Sequence, residues 1–216
     1  MAKILIGNVR TPIDYLKEFF APAGYGLGVN TGTLKSITDV HTIDKTGWYH
    51  FSTGTANSFG GSGVICAVVN EDKYITLTSY AHGLFSFDYM SIAIKVKCDG
   101  KWGEWDWVNP PMVAGVEYRT TERYMGKPVY HKLISFKLTT STSTNFDVPH
   151  GVNNFGVLVR QFATLQNKIP LPYTHNGNST SVSEVNESNI VVSNSGHAWD
   201  SSYPWSFDLY YTKTTD

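Results

Sequence analysis

Apolar and polar residues alternate with a period of two through much of the chain, the signature of half-buried strands. In Thr46-Gly-Trp-Tyr-His-Phe51, Tyr49 and Phe51 share one face. Lys73–Thr78 and Ser91–Val96 alternate in the same way, whereas Val64–Val69 is apolar throughout and predicts a strand covered on both faces. Asp99-Gly100 is a hairpin signal that returns the chain into Lys101–Trp107, and Pro110-Pro111 closes this stretch. Further on, Tyr130, Ile134, Phe136 and Leu138 fall on one face, with His131, Leu133 and Ser135 on the other. Phe155–Phe162 reads as a central strand, Leu171–Tyr173 as extended chain, and Asn176-Gly-Asn178 as a turn. Asn189–Ser193 and Ser206–Thr212 complete the set, with Phe207, Leu209 and Tyr211 alternating against Asp208 and Tyr210. Short strands separated by turns predict a mainly β chain: a small β-rich domain over 37–112 and a β-sandwich of jelly-roll type over 129–216.

Helical spacing occurs near the start. Thr11 is a suitable N-cap, Pro12 a first-turn residue and Asp14 a partner for the positive end of the dipole. The predicted helix runs to about Phe20, with Ile13, Leu16 and Phe20 on one face. So short a helix is marginal alone, so its apolar face must dock, either on its own fold or on the same helix in sister chains. Residues 1–36 are read as a separate N-terminal segment, with Ala21–Gly28 as a Gly-rich connector.

The segment 113–128 differs from its surroundings. Glu117, Arg119, Glu122 and Arg123 interleave with Tyr118 and Tyr124 in a chain otherwise poor in charge. Guanidinium forks clamp carboxylates and lie flat on tyrosine rings, so these six residues are expected to hold domains or subunits at a junction, as a charged linker ended by Gly126 and Pro128. Tyr118-Arg-Thr-Thr-Glu-Arg-Tyr-Met-Gly-Lys-Pro-Val-Tyr130 resembles a signature of bacteriophage tail-fibre and receptor-binding proteins, where it precedes a C-terminal β-rich head. Thr46-Gly47-Trp48-Tyr49 and Gly100-Lys101-Trp102-Gly103-Glu104-Trp105 more loosely resemble the small knob domains of pyocin and phage tail fibres. The resemblance implies a virion protein that is a homotrimer, joined through its N-terminus to other tail, baseplate or capsid proteins and bound through its head to a host cell-envelope glycan. The alternatives are a head fibre or baseplate decoration without a receptor role and, less well supported, a glycan-cleaving depolymerase.

Composition narrows the partners. The chain has 216 residues, of which 41% are hydrophobic, 14% aromatic and 16% charged, against roughly 25% charged in an ordinary soluble domain. A formal net charge of −1 offers no basic face for nucleic acid. No apolar run is long enough to insert in a membrane. Cys66 and Cys98 are too few and too far apart for a disulfide framework or a zinc site, and are expected as buried free thiols.

Catalytic and metal chemistry finds little support. The histidines lack metalloprotease spacing and no nucleophile elbow occurs. His131 or His150 on a threefold axis would meet its copies, but packing explains either more simply. Glu104 and Asp106, spaced i, i+2 on a predicted strand, are a carboxylate pair of the kind glycosidases use, without the repeats of fibre depolymerases. No enzyme activity, cofactor or metal is therefore expected. Sugar recognition uses exposed aromatic faces ringed by Asp, Asn and His, which directs attention to the loop holding His197, Trp199, Asp200, Tyr203 and Trp205. The competing reading places Trp205 and Trp199 in the core of the sandwich. The set Trp102, Trp105 and Trp107 is weaker, since its spacing points the rings to different faces.

Overall fold

The computed structural model describes residues 34–83, 90–140, 142, 144–165, 168–196, 198–199 and 201–216. The N-terminal helix and connector lie outside the described residues. The chain divides into two compact units, Met1–Asn109 and Pro110–Asp216. It is mainly β, and no described helix is long and apolar enough to cross a membrane.

The first unit is one sheet. β1 (Lys35–Ser36) runs parallel to β2 (Gly47–Phe51), which is followed by antiparallel β3 (Ser62–Asn70), β4 (Tyr74–His82) and β5 (Ser91–Cys98). β6 (Lys101–Trp102) and β7 (Asp106–Trp107) pair back onto β5. Asp99 and Gly100 take φ of 48° and 79°, the left-handed pair that a tight hairpin needs. One sheet face carries Tyr49, Phe51, Ile65, Ala67, Ile75, Leu77 and Ala81 into a core closed by Ile37, Val40 and Ile43, with Phe59, Trp102 and Trp105 packed on it. Gly63 sits where β3 and β4 approach too closely for a side chain, since a Cβ there would meet the Tyr80 carbonyl at 2.0 Å.

The opposite face of this sheet departs from expectation. Trp48, Val64, Cys66, Tyr80, Ile92 and Ile94 lie on it half-buried, and Val68 and Val96 are 57% and 44% exposed. Among the described residues the run Val64–Val69 is thus fully covered on one face and only partly on the other. Cys66 and Cys98 are free thiols, as expected, but Cys98 is exposed at the end of β5 and not buried.

The second unit is a sandwich of two antiparallel sheets. The first has the order β8 (Glu117–Tyr124), β9 (Lys127–Lys137), β16 (Pro204–Lys213), β11 (Phe155–Leu165), β12 (Ile169–Pro170). The second has the order β10 (Phe146–Pro149), β15 (Asn189–Asn194), β14 (Asn178–Val185), β13 (Tyr173–His175). Ile134, Ala163, Leu165, Trp205, Phe207, Leu209 and Tyr211 from the first sheet meet Val148, Ile190 and Val192 from the second in one core. The alternation anticipated in β9 and β16 holds: Tyr211, Phe207 and Trp205 pair with Tyr130, Ile134 and Phe136 on the inner face.

The charged segment is not a linker. Residues 117–124 form β8 itself, and Met125 and Gly126, at φ of 50° and 81°, make the turn into β9. Gly126 therefore joins two strands of one hairpin, and the sandwich begins before residue 129.

His150 is buried and locked as the neutral ring. Its Nδ1 accepts the Val152 N–H at 3.1 Å, and its Nε2–H donates to the Asn186 carbonyl at 3.0 Å. Burial holds its pKa below the usual 6.5. A second proton would set N–H against N–H, so protonation favours the unfolded chain, whose histidine titrates at 6.5. The second unit should keep its full stability above that pH and lose it as pH falls below. Urea unfolding at neutral and mildly acidic pH checks this, with His150→Asn expected to flatten the decline.

Candidate functional site

The outer face of the first sandwich sheet, away from the core, carries three rungs of side chains set by strand register. Tyr118, His131, Tyr210 and Arg160 lie directly opposite one another on β8, β9, β16 and β11. The next rung is Leu133, Asp208 and Phe162, and the third is Ser135, Ser206 and Thr164. Phe162, at the β11 end of the middle rung, is 60% exposed.

The upper rung is stacked. His131, wholly out of solvent, has Tyr210 at 4.6 Å and Tyr118 at 6.1 Å between ring centroids. Arg160 lies flat over Tyr210 at 3.7 Å and grips Glu122 with both fork nitrogens at 2.6 and 2.7 Å. That grip holds the Glu122 carboxyl below the usual carboxylate range and raises Arg160. Burial, then the Asp208 charge, pushes Tyr210 upward.

The second rung is fixed by the first. His131 Nε2–H donates to Asp208 Oδ1, which leaves the buried Nδ1 without a partner and Oδ2 with none among the described residues. The carboxylate is thereby held beside Phe162 by a side chain that is itself immobilised, the supporting-shell arrangement of a preorganised site. Glu122 is paired with Arg160 and Asp208 takes the His131 N–H, so both carboxylates of the face are held by a donor. Single exposed apolar residues are ordinary on protein surfaces. Phe162 differs in having a carboxylate and a row of hydroxyl side chains on the same rigid sheet face.

The sequence-predicted sugar loop is placed differently. Trp199 is 3% exposed and Trp205 is fully buried. The Trp199 indole N–H donates to Thr180 Oγ1 at 2.9 Å, and its ring meets Trp205 edge-on at 5.6 Å. Their faces are covered by the core, which corrects the expectation that they receive a sugar. Tyr203 is half-buried against Trp199. His197 and Asp200 lie outside the described residues.

Of the six junction residues, Glu117, Tyr118, Glu122 and Arg123 have partners within the second unit. Glu117 accepts the Tyr211 hydroxyl and pairs with Lys213. Tyr118 accepts the Val113 N–H, and Arg123 donates to the Thr120 and Glu122 carbonyls. Arg119 lies opposite Tyr130, and Tyr124 is 38% exposed at the hairpin end. An arginine clamp with a tyrosine face does occur at Arg160, on β11. Glu104 sits in the loop between β6 and β7 while Asp106 is in β7, so they are not paired on a strand face. Among the described residues no cluster of His, Cys, Asp or Glu is placed to hold a metal ion.

The sequence contained a signal for the Phe162 face. Arg160 and Phe162 are spaced i, i+2 in a strand and so share a side. Which side faced solvent was hidden by the apolar residues Val157 and Leu158 and by the register shift between Leu158 and Arg160.

No protein-family model and no curated protein matches the sequence. Among solved structures the chain is similar to an R1 pyocin fibre of P. aeruginosa at 11% identity, covering 87% of this chain and 69% of that one, with a TM-score of 0.32. It is also similar to an N-truncated R2-type pyocin tail fibre at 9% identity, covering 82% and 95%, with a TM-score of 0.28. Likenesses this loose establish no role for the chain.

Proposed function

We propose that the protein is a receptor-binding component of a phage-type tail fibre, and that the Phe162 face of its sandwich engages a host cell-envelope glycan. The observation that carries this reading is an exposed aromatic ring on a rigid strand, with Asp208 opposite it and Thr164 and Ser206 on the next rung. A pyranose lays its C–H face on such a ring and hydrogen-bonds its hydroxyls to the rim. A carboxylate and hydroxyls beside an aromatic ring suit a polyol. The hairpin sequence Tyr118–Tyr130, with its likeness to fibre proteins, supports the virion setting. Probing the purified chain against a panel of bacterial envelope polysaccharides tests the reading. Saturable binding to one of them supports it, and shortened products in the same incubation would favour a depolymerase instead.

The homotrimer belongs to the same proposal. The face of the first sheet away from its core carries Trp48, Val64, Val68, Tyr80, Ile92, Ile94 and Val96 around Thr76 and Thr78, with Asp106 at its β7 edge. Identical copies can meet on this largely apolar, charge-poor face, and exposed apolar surface of this kind marks an interface. It also accounts for why Val64–Val69 is apolar on both sides. Light scattering of the wild type should give about three times the 24.0 kDa chain mass. Val68→Lys together with Val96→Lys, both at exposed positions, should give folded monomers. A folded wild-type monomer would contradict the assembly.

A further inference from the structure

Lys95 lies on the core face of β5, opposite Leu77 in the register, and only 6% of it is exposed. It makes no ion pair or hydrogen bond among the described residues, and its ammonium stands 5.6 Å from the Trp105 ring centre. Withdrawing an ammonium from water costs several kcal/mol unless a counter-charge is supplied. An indole face returns only about 0.5–2 kcal/mol of that. Two further basic groups stand beside it. Lys97 reaches over Trp102 at 5.6 Å, and His41 stacks on the same indole at 4.7 Å and 7°, with its Nε2 buried and unpartnered.

The acids nearby do not balance them. The Asp39 carboxylate is already engaged, by Asn57 Nδ2 at 2.9 Å and by the His41 backbone N–H at 2.8 Å. Glu104 is exposed in the loop between β6 and β7 and forms no ion pair. Among the described residues Lys95 is therefore without a balancing negative charge, at a corner walled by Trp102 and Trp105.

We propose that this corner of the first unit is a second binding site, which takes an anionic group of a ligand, carboxylate or phosphate, on Lys95 with Lys97 and His41. This site is independent of the Phe162 face. Burial depresses Lys95, and burial together with the Lys95 charge depresses His41, with Asp39 and Glu104 acting in the opposite sense. A bound anion favours the charged form of both, so binding takes up a proton and tightens as pH falls through the histidine range.

The test titrates the full chain with galacturonate, with glucose 6-phosphate and with neutral glucose at constant ionic strength, following the thermal midpoint and the heat of binding. At least one of the two anions, and not glucose, should raise the midpoint, and the better of the two identifies carboxylate or phosphate as the preferred group. Lys95→Met should melt no lower than wild type without ligand, because a flexible apolar chain replaces an uncompensated charge. It should bind the anion about tenfold more weakly, the worth of one charge-assisted hydrogen bond. Lys97→Gln, at a half-exposed position, should weaken binding in the same direction. Equal effects of glucose and both anions, or unchanged affinity in both variants, would overturn the site. A Lys95→Met chain that melts lower would show the ammonium already satisfied within the fold and would overturn it equally.

Discussion

Replacing Phe162 by alanine should abolish attachment to the host glycan while leaving the sandwich intact. The ring is 60% exposed, so little burial is lost, and the thermal midpoint should stay close to wild type. Loss of one aromatic stacking contact costs about 1–1.5 kcal/mol, roughly tenfold in affinity at a single site. On a cell surface the losses of linked sites multiply, and three of them would lower apparent affinity by about a thousandfold. Surface-plasmon binding to immobilised polysaccharide and to the free oligosaccharide separates the two figures. Asp208→Asn is a poorer probe, because Asp208 also partners the buried His131.

Replacing Trp205 should do the opposite, breaking the fold before it touches binding. Trp205 is fully buried, with Phe146 edge-on at 5.2 Å, Trp199 at 5.6 Å and Phe207 at 6.3 Å. Trp205→Ala removes the largest side chain at the centre of the sandwich and should cost about 3–5 kcal/mol. That is a large part of the stability of a domain of this size. Trp205→Phe should cost much less, because the indole N–H is buried without a partner and loses no hydrogen bond. Urea unfolding of both variants, followed by circular dichroism, gives the comparison. A Trp205→Ala chain that is as stable as wild type but fails to bind glycan would restore the aromatic loop as the sugar site.

These two outcomes show where sequence pattern informs and where it stops. Alternation alone placed Tyr49 with Phe51, Tyr130 with Ile134 and Phe136, and Phe207 with Leu209 and Tyr211, because a two-residue period fixes which residues share a face. Asp99-Gly100 and Asn176-Gly177 were legible as turns because both need left-handed backbone. The charged hairpin was not legible. Glu117, Arg119 and Arg123 obscure the alternation of β8, and the partners of Glu117, Tyr211 and Lys213, are distant in sequence. The Trp199 loop misled for a related reason: Gly, Ser and Pro around it suggest solvent, whereas the Thr180 hydroxyl on β14 gives the indole N–H a buried partner. The Phe162 face required register across three strands, which no local pattern contains. The alternation of Ser91–Val96 puts Lys95 with Ser91 on the less apolar side, and only the fold shows that this side is the inward one.

The most direct measurement of the account is fluorine NMR of the chain labelled with 4-fluorophenylalanine, titrated with a glycan to which it binds. The Phe162 resonance, assigned by its loss in Phe162→Leu, should move with the binding curve while the fluorines of buried Phe51 and Phe207 stay in place. A glycan that saturates the protein without shifting the Phe162 resonance would contradict the account.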